Sequence, residues 1–562
     1  MKNQLVILLT FLGMMSSSCH QKNGNDSTKE NQKPNIVLIM TDDVGLEHWS
    51  SYGGSIPTPN IDKLASEGML FTNAYAASAA CTPSRYSINT GKFPGKCESE
   101  EFISENPKNE PYNITWNTPI TENDLTINKV LSKAGYYTGF VGKFHIGSLH
   151  FTKEKMFPEI PENTNPDSKE ADSLLTIYQS LISKEIKRLT GADFVGSALW
   201  ENSEELPIKD IRKHNLEWIT QGGVEFLETL PNDKPFFLNF NTTTLHGPDL
   251  YKSLHGNAHF TAEGRLAEPF KYQPNRETIY SRLDSLGVDH GEHLPDYINH
   301  YNAGVIYMDD QVGALMRKLE ELGISDNTLV IVTADHNIEP AKSTTYNKGV
   351  HVPFVVKWPT KVKAGSTTNE LISFVDFLPT FAEIGNVEIA ENSDIDGLSF
   401  VSVLNDGKVE GREFLYFEEG YTRAVSNGDF KLITMRFPES VMDNLNSGKQ
   451  DVITHFGSKV FSHAYITQEY YPSYFEANQL YDLKNDPYEQ VNLANNPKYA
   501  SQFKLLKGEL QHYLNRFDYP FDLNDIAYEK LPSYKKAVQK VKNRGSAFIP
   551  WWNRTLDFPP KH

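Results

Sequence analysis

The sequence predicts an α/β fold with a large, mostly parallel central sheet flanked by helices and a smaller companion toward the C-terminus. Three observations carry this. Short, almost wholly apolar, β-branched runs recur through the first two-thirds of the chain, as strands covered on both faces require. Helical patterns lie between them, with Val312, Leu315, Met316, Leu319 and Leu322 forming one stripe of the segment 307–323. The texture changes near residue 400, and 562 residues exceed what one ordinary hydrophobic core serves.

Taken in order, residues 1–19 read as an export signal: Lys2, the apolar stretch Leu5 to Met15, then Ser16-Ser17-Ser18-Cys19. The apolar part is too short to span a bilayer. A cysteine after small residues, followed by the polar linker 20–33, suggests a bacterial lipoprotein in which Cys19 is the lipid acceptor, placed in the periplasm or anchored to the outer membrane. Strands are expected at Asn35 to Met40, Thr138 to Val141, Phe236 to Phe240, Thr328 to Val332 and Val352 to Val356. Thr121-Glu122-Asn123-Asp124 has the form of a capping box opening a helix that stops near Gly135. These elements define an N-terminal domain expected over 34–405. Strand-like pieces at Phe414 to Phe417 and Phe430 to Ile433 belong to a C-terminal subdomain over 406–525, and 526–562 form a tail with Pro550-Trp551-Trp552-Asn553.

The formal net charge is −18 and no basic stretch offsets it, which argues against nucleic acid as a partner. Three cysteines do not make a disulfide scaffold. Cys97 has no assigned role, and a Cys81–Cys97 bridge in an oxidising compartment is the alternative that would remove Cys81 from any chemistry.

Two apolar strands end abruptly in carboxylates, Ile39-Met40-Thr41-Asp42-Asp43 and Ile331-Val332-Thr333-Ala334-Asp335-His336. Such ends lie at the carboxyl edge of a parallel sheet, where open α/β folds bind ligands. Three carboxylates meeting there are expected to need a cation, and hard oxygen donors favour Ca²⁺ over Mg²⁺. Taken singly, each Asp would more simply cap the next helix or turn. Thr82 and Pro83 read as N-cap and first helical residue, and Gly91 as the stop, so Cys81 is expected just before a helix N-terminus with Arg85 one turn along on the same face.

Cys81-Thr82-Pro83-Ser84-Arg85, followed by Thr90-Gly91, resembles the Cys/Ser-x-Pro-x-Arg motif of the formylglycine-dependent sulfatases of the alkaline phosphatase superfamily. Gly142-Lys143-Phe144-His145-Ile146-Gly147 resembles that family's Gly-Lys-Trp-His-Leu-Gly, with Phe144 for Trp. Thr244-Leu245-His246-Gly247-Pro248 is similar to its second histidine segment. The stretch Ala341 to Pro353 resembles Gly-Lys-Gly-Thr-x-Tyr-Glu-Gly-Gly-x-Arg-x-Pro. There Ala341 and Ser343 replace glycines, Asn347-Lys348 replaces Glu-Gly and His351 replaces Arg, so Lys348 is an alternative to Lys342. Gln479 to Glu489 resembles the family's closing motif in a smaller C-terminal α+β subdomain.

The resemblance implies that a formylglycine-generating enzyme oxidises Cys81 to Cα-formylglycine (3-oxoalanine), whose hydrate attacks the sulfur of a sulfate ester. Asp42, Asp43, Asp335, His336 and residue 81 are the implied Ca²⁺ ligands. Lys143 and Lys342 would bind sulfate, Arg85 would support the nucleophile, and His145 would take the proton that lets sulfate leave. His246 is the implied sulfate ligand and general acid. The expected activity is sulfuric ester hydrolysis on a sulfated carbohydrate such as ulvan, carrageenan or a glycosaminoglycan. The alternatives are a phosphonate or phosphate ester hydrolase of the same superfamily, and an unconverted lipoprotein that only binds sulfated glycan. Sugar contacts are expected from segments between the motifs, with Trp200, Tyr470 and Tyr471 as stacking candidates and His255, His259, His290, His293 and His300 nearby.

Overall fold

Strands that are apolar on both faces can be satisfied only between layers of helix, and the computed structural model has that arrangement. It describes residues 32–548 apart from 154–157, 214, 232–233, 248–249, 255–256, 269, 271–277, 290–295, 339, 406 and 458–461. The export signal, Cys19, His255, His290, His293 and the Pro550-Trp551-Trp552-Asn553 segment therefore lie outside the described residues. Residues 34 onward form one compact unit, and no helix among the described residues is long and apolar enough to cross a membrane.

The large sheet has eight strands: β1 (Asn35–Asp42), β2 (Met69–Phe71), β3 (Tyr137–Lys143), β4 (Phe194–Leu199), β5 (Phe236–Leu245), β6 (Thr328–Ala334), β7 (Phe354–Lys357) and β8 (Ser366–Thr368), in the order β8-β2-β7-β6-β1-β5-β3-β4. Strands β6, β1, β5, β3 and β4 run parallel, whereas β7 pairs antiparallel with both β6 and β2. All ten residues of β5 and seven of the eight in β1 are buried. Each such Ile, Leu or Phe contributes about 1.5–3 kcal/mol by leaving water, which makes this layer the rigid floor of the molecule.

Helix α1 (Cys81–Thr90) lies against the sheet and is buried along its whole length. Helix α2 (Ile127–Lys133) opens later than the sequence pattern indicated. Its cap is Thr126, whose Oγ1 accepts from Lys129 N at 3.3 Å. Thr121 donates instead from N and Oγ1 to Asp124 Oδ2, at 2.7 and 2.9 Å, which closes a turn before the helix. Helix α3 (Asp296–Glu321) is longer than the stripe read from 307 onward.

A second, antiparallel sheet follows: β9 (Leu415–Glu419), β10 (Thr422–Ser426), β11 (Phe430–Met435) and β12 (Asn478–Asp482) in sequential order. The segment read as a tail is in part a helix, Pro532–Phe548, whose Tyr534, Ala537 and Val541 are buried in the core of this smaller subdomain.

Candidate active site

Four neighbouring parallel strands, β6, β1, β5 and β3, each deliver a site residue at or just past the carboxyl end: Asp335 and His336, Asp42 and Asp43, His246, and Lys143 with His145. These ends lie side by side along one edge of the sheet, and α1 brings Cys81 to them. Cys81 is itself the first residue of α1, two before the Pro83 start expected from the sequence. Ala80, extended at φ −130° and ψ 149°, holds the cap position, and its carbonyl accepts from Ser84 N at 3.0 Å. Pro83 falls in the first turn, where no N–H is needed.

The Cys81 thiol stands 3.3 Å from His336 Nε2, 3.6 Å from Lys143 Nζ and 3.7 Å from Asp42 Oδ1. Lys143 Nζ is 2.6 Å from Asp42 Oδ2, and Lys342 Nζ lies 2.7 Å from both Asp43 oxygens. Arg85 donates from Nε to Asp335 Oδ2 at 3.1 Å and from Nη1 to Asn241 Oδ1 at 3.1 Å and to the Lys143 carbonyl at 3.2 Å. Burial opposes ionisation of Asp42, yet the Lys143 and Arg85 charges hold its carboxyl well below the usual range. Asp43 is held low in the same way, chiefly by Lys342, whose own pKa is raised in return. Three carboxylates are thus balanced by three cationic side chains.

Could the residues hold one? Ligating atoms of Asp42, Asp43, Cys81 and His336 all lie within 4.8 Å of one another. His336 is prepared for the task. Its Nδ1 donates to the Asn337 carbonyl at 2.7 Å, so the hydrogen sits there and the Nε2 lone pair faces the group. Two carboxylates and an imidazole suit a divalent cation. With oxygen in place of sulfur at position 81 the set becomes the hard, oxygen-rich kind that Ca²⁺ or Mg²⁺ takes. Asp335, expected among the ligands, stands beside the four. Its Oδ1 accepts from the backbone N–H groups of Asp43 (3.2 Å) and His336 (2.9 Å), and its Oδ2 serves Arg85, 3.8 Å from His336 Nε2.

Three non-glycine residues of the site sit in the left-handed region: Asp43 at φ +58°, His145 at +50° and Ser343 at +62°. Such conformations cost energy and persist where the surroundings impose them. Ser343 occupies one of the glycine positions of the resembling motif, and its N–H donates to Ala79 O at 2.8 Å. Gly142 is needed as glycine. At φ +88° a Cβ there would lie 1.9 Å from the Asn241 carbonyl oxygen, blocking the β3–β5 approach that aims Lys143.

His145 Nε2 lies 2.8 Å from Glu201 Oε2. Burial and the Lys143 charge push the His145 imidazole down, and Glu201 with Cys81 more than offset them, so its pKa ends above the ordinary value. His246 goes the other way, pushed down to about 3 by burial and by the Lys143 and Lys342 charges. It is neutral in the resting site.

Lys348 and His351 do not enter this centre. Lys348 pairs with Glu47, while His351 Nε2 donates to the Thr72 carbonyl at 2.8 Å and its ring stacks on Tyr75 at 4.6 Å. Both line a separate cleft of about 560 Å³, so of the two lysines only Lys342 reaches the Asp43 carboxylate. Cys97 and Cys81 are both free, and the bridge between them is absent. Cys97 is buried, with its thiol pushed up to about 12. Two stacking candidates are used internally: Trp200, 3 % exposed, packs on Phe144 and Phe151, and Tyr471 is fully buried on Tyr346 at 3.8 Å. Sequence reasoning missed Glu201, Asn241 and Asn337. A polar residue inside an otherwise apolar strand was the one available signal, and it pointed to Asn239 and Asn241.

The family profile described as "Sulfatase" matches residues 34–387, and that described as "N-sulphoglucosamine sulphohydrolase, C-terminal" matches 341–437. The chain is similar to an N-acetylglucosamine-6-O-sulfatase of Bacteroides thetaiotaomicron, 25% identical over 96% of both chains. It is also similar to an ulvan-active sulfatase of Formosa agariphila, 28% identical over 86% of this chain and 80% of the relative. Among solved structures, a protein in complex with its substrate D-glucosamine-2-N,6-O-disulfate superposes with a TM-score of 0.56 at 21% identity, covering 89% of this chain and all of the other. Another, in complex with k-i-k-neocarrahexaose, gives 0.53 at 19% identity, covering 93% and 99%. These two speak to the fold.

Proposed function

The chain belongs to the sulfatase family and is a sulfuric ester hydrolase; on that premise we propose that it desulfates a carbohydrate, with residue 81 as nucleophile after conversion to formylglycine. The observation that carries the reading is the convergence of four adjacent strand ends on the N-terminus of α1, with Cys81 within 3.7 Å of Asp42, His336 and Lys143. The relatives named above are an N-acetylglucosamine-6-O-sulfatase and an ulvan-active sulfatase, and a sulfated carbohydrate of that kind, such as ulvan or a glycosaminoglycan, is the substrate proposed here. Export to the periplasm or outer membrane, with Cys19 as anchor, is proposed with it.

Asp42, Asp43, His336 and residue 81 would hold a Ca²⁺ ion, with Asp335 Oδ2 at their edge as a further oxygen. When present, the ion and the hydrated aldehyde supply, respectively, net positive charge for the sulfate oxygens and the attacking oxygen. The protein's own share is electrostatic and positional. Because three cations already balance three carboxylates, the added ion makes the pocket net positive, which reconciles an anionic substrate with a chain of charge −18. Lys143 and Lys342 present ammonium groups to sulfate. Arg85, spent on Asp335 and Asn241, holds those partners in place. His145 is the residue poised to accept a proton beside position 81. His246, neutral at rest, donates an N–H to sulfate and gains proton affinity only with an anion beside it.

The test is mass spectrometry of the Cys81 peptide from protein made with a formylglycine-generating enzyme, paired with sulfate release from sulfated oligosaccharides. Conversion of the thiol to the aldehyde with release lost in Cys81→Ala is the expected result. An unconverted thiol under those conditions overturns the mechanism and leaves a glycan-binding protein. Faster turnover of phosphate monoesters than of sulfate esters would move the activity to the phosphate branch.

A further inference from the structure

Past the last paired residues of β3 and β4, Lys143 with Leu199, two more backbone bonds continue the contact. Phe144 N donates to Leu199 O at 2.8 Å and His145 N to Trp200 O at 2.9 Å. This extension, together with the left-handed turn at His145, sets the imidazole against Glu201. Their side chains meet at 2.8 Å, each about nine-tenths buried.

An ionised carboxylate only accepts hydrogen bonds, so the hydrogen of a neutral His145 ring lies on Nε2 and its lone pair on Nδ1. Nδ1 is buried and has no hydrogen-bond partner in the protein. The ring's other close neighbour is the side chain of Cys81. From this geometry we infer that Glu201 is the positioning residue for His145: it fixes the Nε2–H tautomer and the ring plane, so that Nδ1 is the basic atom offered to position 81. The inference rests on the reading of His145 as the proton acceptor. A buried pair serving only to satisfy two polar groups would place no demand on tautomer or on turnover.

Long-range ¹H–¹⁵N correlation spectra of ¹⁵N-histidine-labelled protein carrying the unconverted thiol test the orientation without reference to activity. His145 is assigned from the signal lost in His145→Asn. The expected result is the Nε2–H tautomer in the wild type and in Glu201→Gln, whose amide oxygen accepts the same bond, and its loss in Glu201→Ala. A wild-type Nδ1–H tautomer overturns the inference. On converted enzyme, Glu201→Ala is expected to lower kcat on the order of 10–100-fold with KM little changed, and Glu201→Gln to recover most of that loss. Wild-type kcat in Glu201→Ala overturns it as well. If Glu201→Ala fails to fold, the wild-type tautomer and the Glu201→Gln kinetics decide. Absence of sulfate release by the converted wild type would sink the catalytic reading of His145, while the spectra still report whether Glu201 sets its tautomer.

Discussion

Glu419 Oε2 accepts a hydrogen bond from the backbone N–H of Ala79 at 3.1 Å, two residues before Cys81, and the same oxygen takes the Ser78 hydroxyl. Glu419 lies on β9, in the smaller subdomain, and is fully buried. The neighbouring Glu418 points to the opposite face of the strand and accepts from Gly95 N and the Tyr112 hydroxyl, beyond the other end of α1. One edge strand thus holds the chain on both sides of the nucleophile helix, so the small subdomain is part of the apparatus that places Cys81.

Burial pushes the Glu419 carboxyl up to about 8. Between its ordinary value near 4.5 and 8 the folded protein binds a proton that the unfolded chain has released, so stability falls as pH rises through that window and levels off above it. Glu419→Gln removes this contribution. Thermal melts are expected to show the wild-type Tm dropping by several degrees more than that of Glu419→Gln between pH 5 and pH 8; parallel curves would refute the assignment.

Lys342 contacts both oxygens of Asp43, whereas Lys348 pairs with Glu47 in another cleft. Lys342→Ala should lower kcat/KM on the order of 10²–10³-fold, the scale of losing one charged group that faces the reacting anion, while Lys348→Ala stays within about twofold of wild type on a small aryl sulfate. Steady-state kinetics of the two variants side by side would settle which lysine serves the site. The reverse ranking would mean that the loop 341–353 adopts another register.

If the four donors hold Ca²⁺, exhaustive chelation should abolish most of the activity, on the order of 10²-fold or more, and Ca²⁺ should restore it better than Mg²⁺. Asp42→Asn and Asp43→Asn should weaken the metal in direct titrations monitored by calorimetry. Full activity after chelation, with no metal in elemental analysis, would count against a cation at this centre.

His246 is unprotonated when folded down to about pH 3, while in the unfolded chain it charges near pH 6.5. The unfolded state therefore binds the extra proton, and His246 costs stability as pH falls from 6.5 toward 3. His246→Gln should be less acid-sensitive than wild type in denaturant titrations at pH 4, and its kcat should fall by at least tenfold. Equal acid sensitivity would show that the imidazole is not held neutral.

Much of the centre could be read in advance because its parts are local signals. An apolar strand ending in Asp42-Asp43 or Asp335-His336 marks a sheet edge, and a Cys followed by Thr-Pro marks a helix start; neither needs knowledge of the partner strand. What went astray also has local causes. Thr121 and Asp124 form a turn with the same residues that make a capping box, and α1 starts two residues before Pro83, the start that Thr82-Pro83 signals, because Ala80 caps without a side-chain oxygen. Tyr471 and Trp200 resemble exposed sugar platforms in sequence, but aromatic rings are equally good core material, and only packing separates the two uses.

By itself the sequence determined the layered α/β class and the carboxylates that end two apolar strands, since these follow from residue type and short-range spacing; Lys143, His145, His246 and Lys342 were legible only through resemblance to the family's motifs, and Cys81 and Arg85 chiefly so. Tertiary structure alone decided the pairings: Lys143 with Asp42, Lys342 with Asp43, Arg85 with Asp335, Glu201 with His145 and Glu419 with the turn before Cys81. All five pairs join residues more than 50 positions apart in the chain, and Glu419 is 340 from Ala79. Coulomb and hydrogen-bond energies depend on separations of a few ångström, and such separations arise only when strands β6, β1, β5 and β3 are laid side by side.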